Sequence, residues 1–94
     1  MPRKEKVDLS KEYKIFETNE FIKRTNRLSI RDKEFIEKKL NNYVYEQLRS
    51  EPHYGINIKK LKDYFPEMWR YRIGKFRVFY TIDEKEKILF VVTI

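Results

Sequence analysis

The chain has 94 residues, of which 40% are apolar and 16% aromatic, enough for one small domain with a ring-rich core. It has no cysteine, which excludes disulfides and thiolate metal sites and fits a reducing cytoplasm, and its single histidine argues against a His-based metal centre or a Ser-His-Asp triad. Nothing in it reads as a membrane span or signal peptide, and the net charge of +7 points to an acidic partner, either nucleic acid or an acidic protein.

Residues 1–10 are polar and mostly charged and read as a flexible basic arm tipped by Pro2-Arg3-Lys4; residues 11–94 read as the single domain. Tyr13 to Phe16 is a short strand. Thr18 or Asn19 caps a first helix in which Phe21, Ile22, Thr25 and Leu28 recur at helical spacing. Ser29, with Asp32 at the third position, caps a second. Its apolar stripe is Ile30, Ile36, Leu40, Tyr43, Val44 and Leu48, and its polar face carries Arg31, Lys38, Asn42 and Arg49. This helix is expected to end near Ser50, before Pro52. The short connection at Leu28-Ser29 makes the pair an antiparallel helical hairpin.

Glu51 to Pro66 reads as a long irregular connection. His53 follows Glu51-Pro52 with no partner motif visible and is expected to be a surface loop residue; Leu61 and Phe65 are expected to reach the core. Lys59, Lys60 and Lys62 form a basic run, either a solvated rim or a surface that steers a nucleic-acid backbone. Asp63, Glu67, Asp83 and Glu84 lack ligand spacing and read as solvated charges, so no metal and no cofactor is expected.

Trp69 to Tyr80 carries the clearest pattern. Trp69, Tyr71 and Ile73 alternate with Arg70 and Arg72; Gly74-Lys75 suits a two-residue type II′ turn; Phe76, Val78 and Tyr80 then alternate with Arg77 and Phe79. Such a turn sets Ile73 opposite Phe76, Arg72 opposite Arg77, Tyr71 opposite Val78 and Arg70 opposite Phe79. Two like charges face each other with Cβ atoms about 5 Å apart, which destabilises a sheet. Either an anion such as phosphate sits there, or the arginines are simply solvated on the wet face. From Lys59 to Arg77 there are seven bases against two acids, so most of the excess charge lies on and just before this hairpin.

Lys87 to Ile94 is a nearly continuous apolar strand, as expected of a central strand covered on both faces. The order β-α-α-β-β-β implies an α+β fold, with a helical hairpin packed on one face of an antiparallel-rich sheet.

These residues resemble the RelE/ParE superfamily of bacterial and archaeal toxins from type II toxin–antitoxin modules. The likeness covers nearly all of Tyr13 to Ile94. Its carriers are the strand-helix-helix opening, Leu61-Lys62 and above all Trp69 to Tyr80, which is similar to the family's Trp-Arg-x-Arg-x-Gly-x-Tyr-Arg-x-x-Tyr block with Phe76 in place of the common Tyr. The resemblance implies a cytoplasmic endoribonuclease that cuts mRNA in the ribosomal A site, or a relative of one, neutralised by a cognate antitoxin that wraps the basic face. By position, Arg70 and Arg72 match two basic strand residues that are often lysines, Arg72 at the place of the residue proposed to help deprotonate the 2′-hydroxyl. Arg77 matches the arginine that stabilises charge developing on phosphorus. Guanidiniums donate and do not abstract protons, so Arg72 is expected to orient and stabilise. Lys59, Lys60, Lys62 and Lys75 would form the RNA-binding surround.

Catalytic relatives continue past the last strand with an arginine-containing turn and a terminal tyrosine. This sequence stops at Ile94, which reads either as a C-terminally truncated, attenuated or inactive toxin or as a gene that encodes this short form. Two other readings stand beside the nuclease: a ParE-like toxin that inhibits DNA gyrase without cutting RNA, and a non-catalytic nucleic-acid-binding module with steep salt dependence.

Overall fold

A computed structural model describes residues 12–94; the expected basic arm, residues 1–10, lies outside them. The elements are β1 (Lys14–Glu17), α1 (Asn19–Asn26), α2 (Ile30–Lys39), a π-helical turn (Leu40–Val44), α3 (Tyr45–Ser50), β2 (Ile58–Lys60), β3 (Trp69–Ile73), β4 (Phe76–Asp83) and β5 (Ile88–Thr93). The five strands form one sheet in the order β1-β5-β4-β3-β2. β1 runs parallel to β5, and the other pairs are antiparallel. The class is α+β, as expected, with one strand more.

Both helix starts are capped where the sequence places them. The Thr18 hydroxyl accepts from the Phe21 amide at 3.2 Å and donates to the Val92 carbonyl at 2.9 Å, tying α1 to β5. Ser29 Oγ accepts from the Asp32 amide at 3.1 Å.

The apolar stripe of the second helix differs from the expected one at two positions. Ile36, Leu40, Val44 and Leu48 are buried, but Ile30 is 80% and Tyr43 64% exposed. Ile30 opens the helix, ahead of Ile36, the first residue of α2 to be buried. Tyr43 lies in the π-helical turn, where the Tyr45 amide bonds back to the Leu40 carbonyl. Its extra residue rotates the following turn, so Tyr45 comes inward in place of Tyr43. The Tyr45 hydroxyl donates to Glu17 Oε2 at 2.5 Å, linking α3 to β1.

The core lies between the helices and one face of the sheet. Val78, Tyr80, Leu89 and Val91 are fully buried beneath Phe21, Ile36, Leu40, Val44 and Leu48. The Tyr80 hydroxyl donates to the Pro52 carbonyl at 2.8 Å, closing the end of α3 onto β4. β5 is internal to the sheet but is not covered on both faces. Leu89 and Val91 point to the helices, whereas Ile88, Phe90 and Val92 are only half-buried on the far side.

β2 falls in the stretch expected to be irregular. It pairs with β3 as far as Lys60 opposite Trp69, which makes residues 61–68 the loop of a hairpin. Phe65 in that loop is 98% exposed and does not reach the core. Leu61 is half-buried, and its amide bonds the Met68 carbonyl at 2.9 Å across the loop.

Candidate nucleic-acid interface

The β3–β4 hairpin has the register its two-residue turn requires: Ile73 with Phe76, Arg72 with Arg77, Tyr71 with Val78 and Arg70 with Phe79. Gly74 has φ of 60°, the left-handed value needed at the first turn position of type II′ and easily adopted only by glycine. Tyr71, Ile73, Val78 and Tyr80 are buried against the helices. Strand alternation therefore turns Arg70, Arg72, Arg77 and Phe79 to the other face.

Arg72 and Arg77 occupy the first pair beyond the one that closes the turn. This is a non-hydrogen-bonded position, where Cα atoms approach to about 4.5 Å. Both side chains are exposed, and among the described residues neither makes an ion pair or side-chain hydrogen bond. Arg70 is half-buried, and its Nη1 donates to the Asn57 carbonyl at 3.3 Å. Lys59 of β2 pairs in register with Arg70 and shares its face. Four cations thus lie together with no carboxylate among them.

The other candidate lysines lie apart. Lys60 alternates to the helix side, where Nζ is 2.8 Å from Glu67 Oε2 and 5.9 Å from the centre of the Trp69 ring. Lys75 sits in the turn, 3.7 Å from Asp32 and over Phe76. Lys62 is exposed in the 61–68 loop. Between the hairpin and the helix run two clefts that meet at Gly74. One, of about 460 Å³, is bordered by Lys39, Tyr43 and Arg72; the other, of about 390 Å³, by Arg31, Phe35 and Phe76.

His53 lies in a loop, as expected, but it has partners that no sequence motif announced. Its Nδ1 lies 2.9 Å from Glu51 Oε2 and its Nε2 2.6 Å from Glu84 Oε2. Its ring packs edge-on to Trp69 at 5.3 Å. A neutral imidazole donates from one nitrogen only, so two carboxylates favour the imidazolium. Partial burial opposes the charge, but the hydrogen bonds to Glu84 and Glu51 outweigh it and raise the His53 pKa. Glu51 is lowered, chiefly by the His53 backbone amide. Burial pushes Glu84 up, but His53 and Tyr13 outweigh it and its pKa falls. Burial and the Glu84 carboxylate push Tyr13 up to about 12. Glu84 is exposed, as expected, and also accepts from Tyr13 and pairs with His53. Sequence reasoning missed this cluster because it is closed by the β4–β5 turn, distant in sequence. It stands behind the sheet beside Trp69, away from the arginines.

Comparison with known proteins follows the same outline. Residues 17–94 match the family described as ParE toxin of type II toxin–antitoxin system, parDE. No protein of curated function matches the sequence. Among solved structures, the chain is similar to the archaeal RelE–RelB complex from Pyrococcus horikoshii OT3, with 19% identity, a TM-score of 0.65 and coverage of 87% of this chain and 91% of that one. The RelBE2 toxin–antitoxin complex of Mycobacterium tuberculosis gives 18% identity and a TM-score of 0.66, over 87% and 94% of the two chains. A mutant of the E. coli toxin RelE in the free state gives 19% and 0.61, over 87% and 80%. At these identities the likeness is one of fold: helices packed on a five-stranded mixed sheet.

Proposed function

The chain belongs to the ParE toxin family of type II toxin–antitoxin systems, within the RelE/ParE superfamily, and from that premise we propose that it is an RNA-cleaving toxin acting through the arginine face of its hairpin. The supporting observation is the Arg72–Arg77 pair: two guanidiniums fixed across a ladder, exposed and without an acid partner among the described residues. A phosphate between them would remove their repulsion and accept charge-assisted hydrogen bonds from both.

In this reading the 2′-oxygen attacks the adjacent phosphorus, and the bond to the 5′-oxygen breaks. A 2′,3′-cyclic phosphate and a 5′-hydroxyl result. Negative charge builds on the equatorial oxygens, where Arg72 and Arg77 stabilise it. Arg70 and Lys59 hold the neighbouring backbone. The described neighbours of Arg72 and Arg77 on this face, Lys59, Arg70 and Phe79, include no histidine or carboxylate, and Asp83 lies at the far end of β4, so this part of the face contributes positioning and electrostatics. The 2′-hydroxyl proton leaves to solvent or RNA, and the departing 5′-oxygen takes a proton from solvent. An mRNA held in the ribosomal A site would supply the in-line geometry. The antitoxin is the partner that masks this face and the adjoining clefts.

A second reading is a toxin that inhibits DNA gyrase, and it is favoured by the sequence match to a ParE family. Ribosome-programmed mRNA cleavage and gyrase supercoiling assays, run side by side, distinguish the two. Arg72→Ala or Arg77→Ala is expected to lower cleavage by about 10²–10³. Uncut mRNA together with blocked supercoiling would overturn the nuclease reading.

A further inference from the structure

The sheet face that carries the arginines also carries a cluster of phenyl rings that the proposed chemistry does not use. Phe16 of β1 pairs with Phe90 of β5, and Phe90 pairs in turn with Thr81 of β4. Phe79 lies two residues before Thr81 on the same face of β4, with a β-bulge in the β4–β5 pairing between Phe79 and Tyr80 that offsets it along the sheet from Phe90 on the adjacent strand. The Phe16 and Phe90 rings meet edge-to-face, with centroids 5.7 Å apart. Phe16 is 57% exposed, and none of the three rings belongs to or packs against the hydrophobic core. Arg70 stands directly opposite Phe79, and Arg77 precedes it on the same face of β4. The face thus grades from a cationic half on β2–β3 and the hairpin tip to an aromatic half on β4–β5–β1.

We propose that this uncovered face binds single-stranded nucleic acid, with unpaired bases stacked on Phe79 and Phe90 while Arg72 and Arg77 hold the phosphates. The inference rests on the reading of the arginines as a nucleic-acid contact and adds to it what seats the bases. Charge complementarity favours this occupant: a ligand that fits both halves must carry anions at one edge and flat apolar surfaces beside them. Uncovered sheets that recognise single strands use this arrangement, with rings on central strands under successive bases. A base-paired duplex buries its bases and could use only the arginines. β4 and β5 are internal strands held by neighbours on both sides, so the rings form a rigid platform.

The test is fluorescence anisotropy on the full chain with four labelled probes of about twelve nucleotides: oligouridine RNA, oligothymidine DNA, an abasic strand of equal charge and an RNA duplex. Phe79→Leu and Phe90→Leu keep apolar volume and remove the ring. Each is expected to weaken binding of the base-bearing single strands about 5- to 150-fold, while abasic and duplex binding and the salt slope stay unchanged. The RNA and DNA arms show which strand is the ligand, and a preference for either over the abasic probe supports the inference.

Should the leucine variants melt early, Phe79→Trp keeps a stacking surface. Its fluorescence should be quenched by base-bearing strands and not by the abasic one; no difference overturns the inference. Equal affinity of wild type for base-bearing and abasic strands also overturns it, but leaves the phosphate contact and the nuclease reading standing. Absence of all nucleic-acid binding, with Arg72→Ala silent, overturns both. Ring-dependent binding of a Glu-rich amphipathic peptide, with no affinity for either single strand, would make the face a protein site and refute the proposal.

Discussion

Arg72 and Arg77 face each other at a non-hydrogen-bonded pair, so replacing either should stabilise the protein while impairing it. Like charges in this position cost about 0.2–1 kcal/mol. A chain of this size shifts its midpoint by about 4–8 °C per kcal/mol, so relief of the repulsion is worth about 1–8 °C. Threonine is itself a good strand residue, and a single Arg72→Thr or Arg77→Thr would mix that preference with the charge effect. A double-mutant cycle separates them: the double mutant should gain less than the sum of the singles, by the repulsion energy. The coupling should be clear at low ionic strength and fade near 1 M salt, where the Debye length falls to about 3 Å. Added inorganic phosphate should raise the wild-type midpoint more than that of either variant, because it binds the folded pair. Urea or thermal melts of the four proteins measure all of this. Zero or favourable coupling at low salt would show that the guanidiniums do not strain the hairpin, and the anion-site argument would lose its basis.

Three further outcomes follow from the geometry behind the sheet. Tyr80→Phe removes the only described side-chain donor to the Pro52 carbonyl inside the core and should cost about 1–3 kcal/mol in urea unfolding; under 0.5 kcal/mol would mean that this carbonyl finds water. Thr18→Val loses both the helix cap and the bond to Val92 and should cost about 1–2 kcal/mol, with Thr18→Ser restoring most of it. The His53 cluster sets a pH dependence. With its pKa raised, His53 contributes fully below its ordinary value near 6.5, and the contribution is lost as pH rises through the folded value. Glu51 and Glu84, both lowered, contribute above the ordinary carboxylate range and lose their share as pH falls through their folded values. Melting temperature should therefore peak between these limits and decline on the alkaline side, and His53→Gln should flatten that decline.

The hairpin register was legible because it depends on local chemistry alone: a Gly-X turn and strict alternation from Trp69 to Tyr80. The caps at Thr18 and Ser29 were legible for the same reason. Features set by distant contacts were not. Ile58-Lys59-Lys60 is a three-residue edge strand rich in lysine, a residue of low strand preference, and only pairing to β3 makes it regular; the Ile56–Ile58 alternation was its one signal. The apolar run of β5 suggested two covered faces, but Phe90 and Val92 lie on the open one, where a run of large residues looks the same in sequence. The π-helical turn was invisible to a 3.6-residue stripe, which is why Tyr43 and Tyr45 changed places. In the candidate site, the face shared by Lys59, Arg70, Arg72 and Arg77 required β2. The separation of Lys60 and Lys75 required their acidic partners.

The two faces of the sheet are energetically linked, and this explains why the arginines stay where they repel. A one-residue slip of β3 against β4 would separate Arg72 from Arg77, but it would also turn Tyr71 and Ile73 outward and bring guanidiniums into the core. Each buried side chain of this kind is worth about 1.5–3 kcal/mol, against about 1 kcal/mol at most for the repulsion. Val78 and Tyr80, fully buried on β4, hold the partner strand in the same way. The dry face therefore fixes the spacing of the charged one during folding. An anion arriving between the guanidiniums meets donors already in position and need not order them, which is the condition under which such groups stabilise a developing negative charge most effectively.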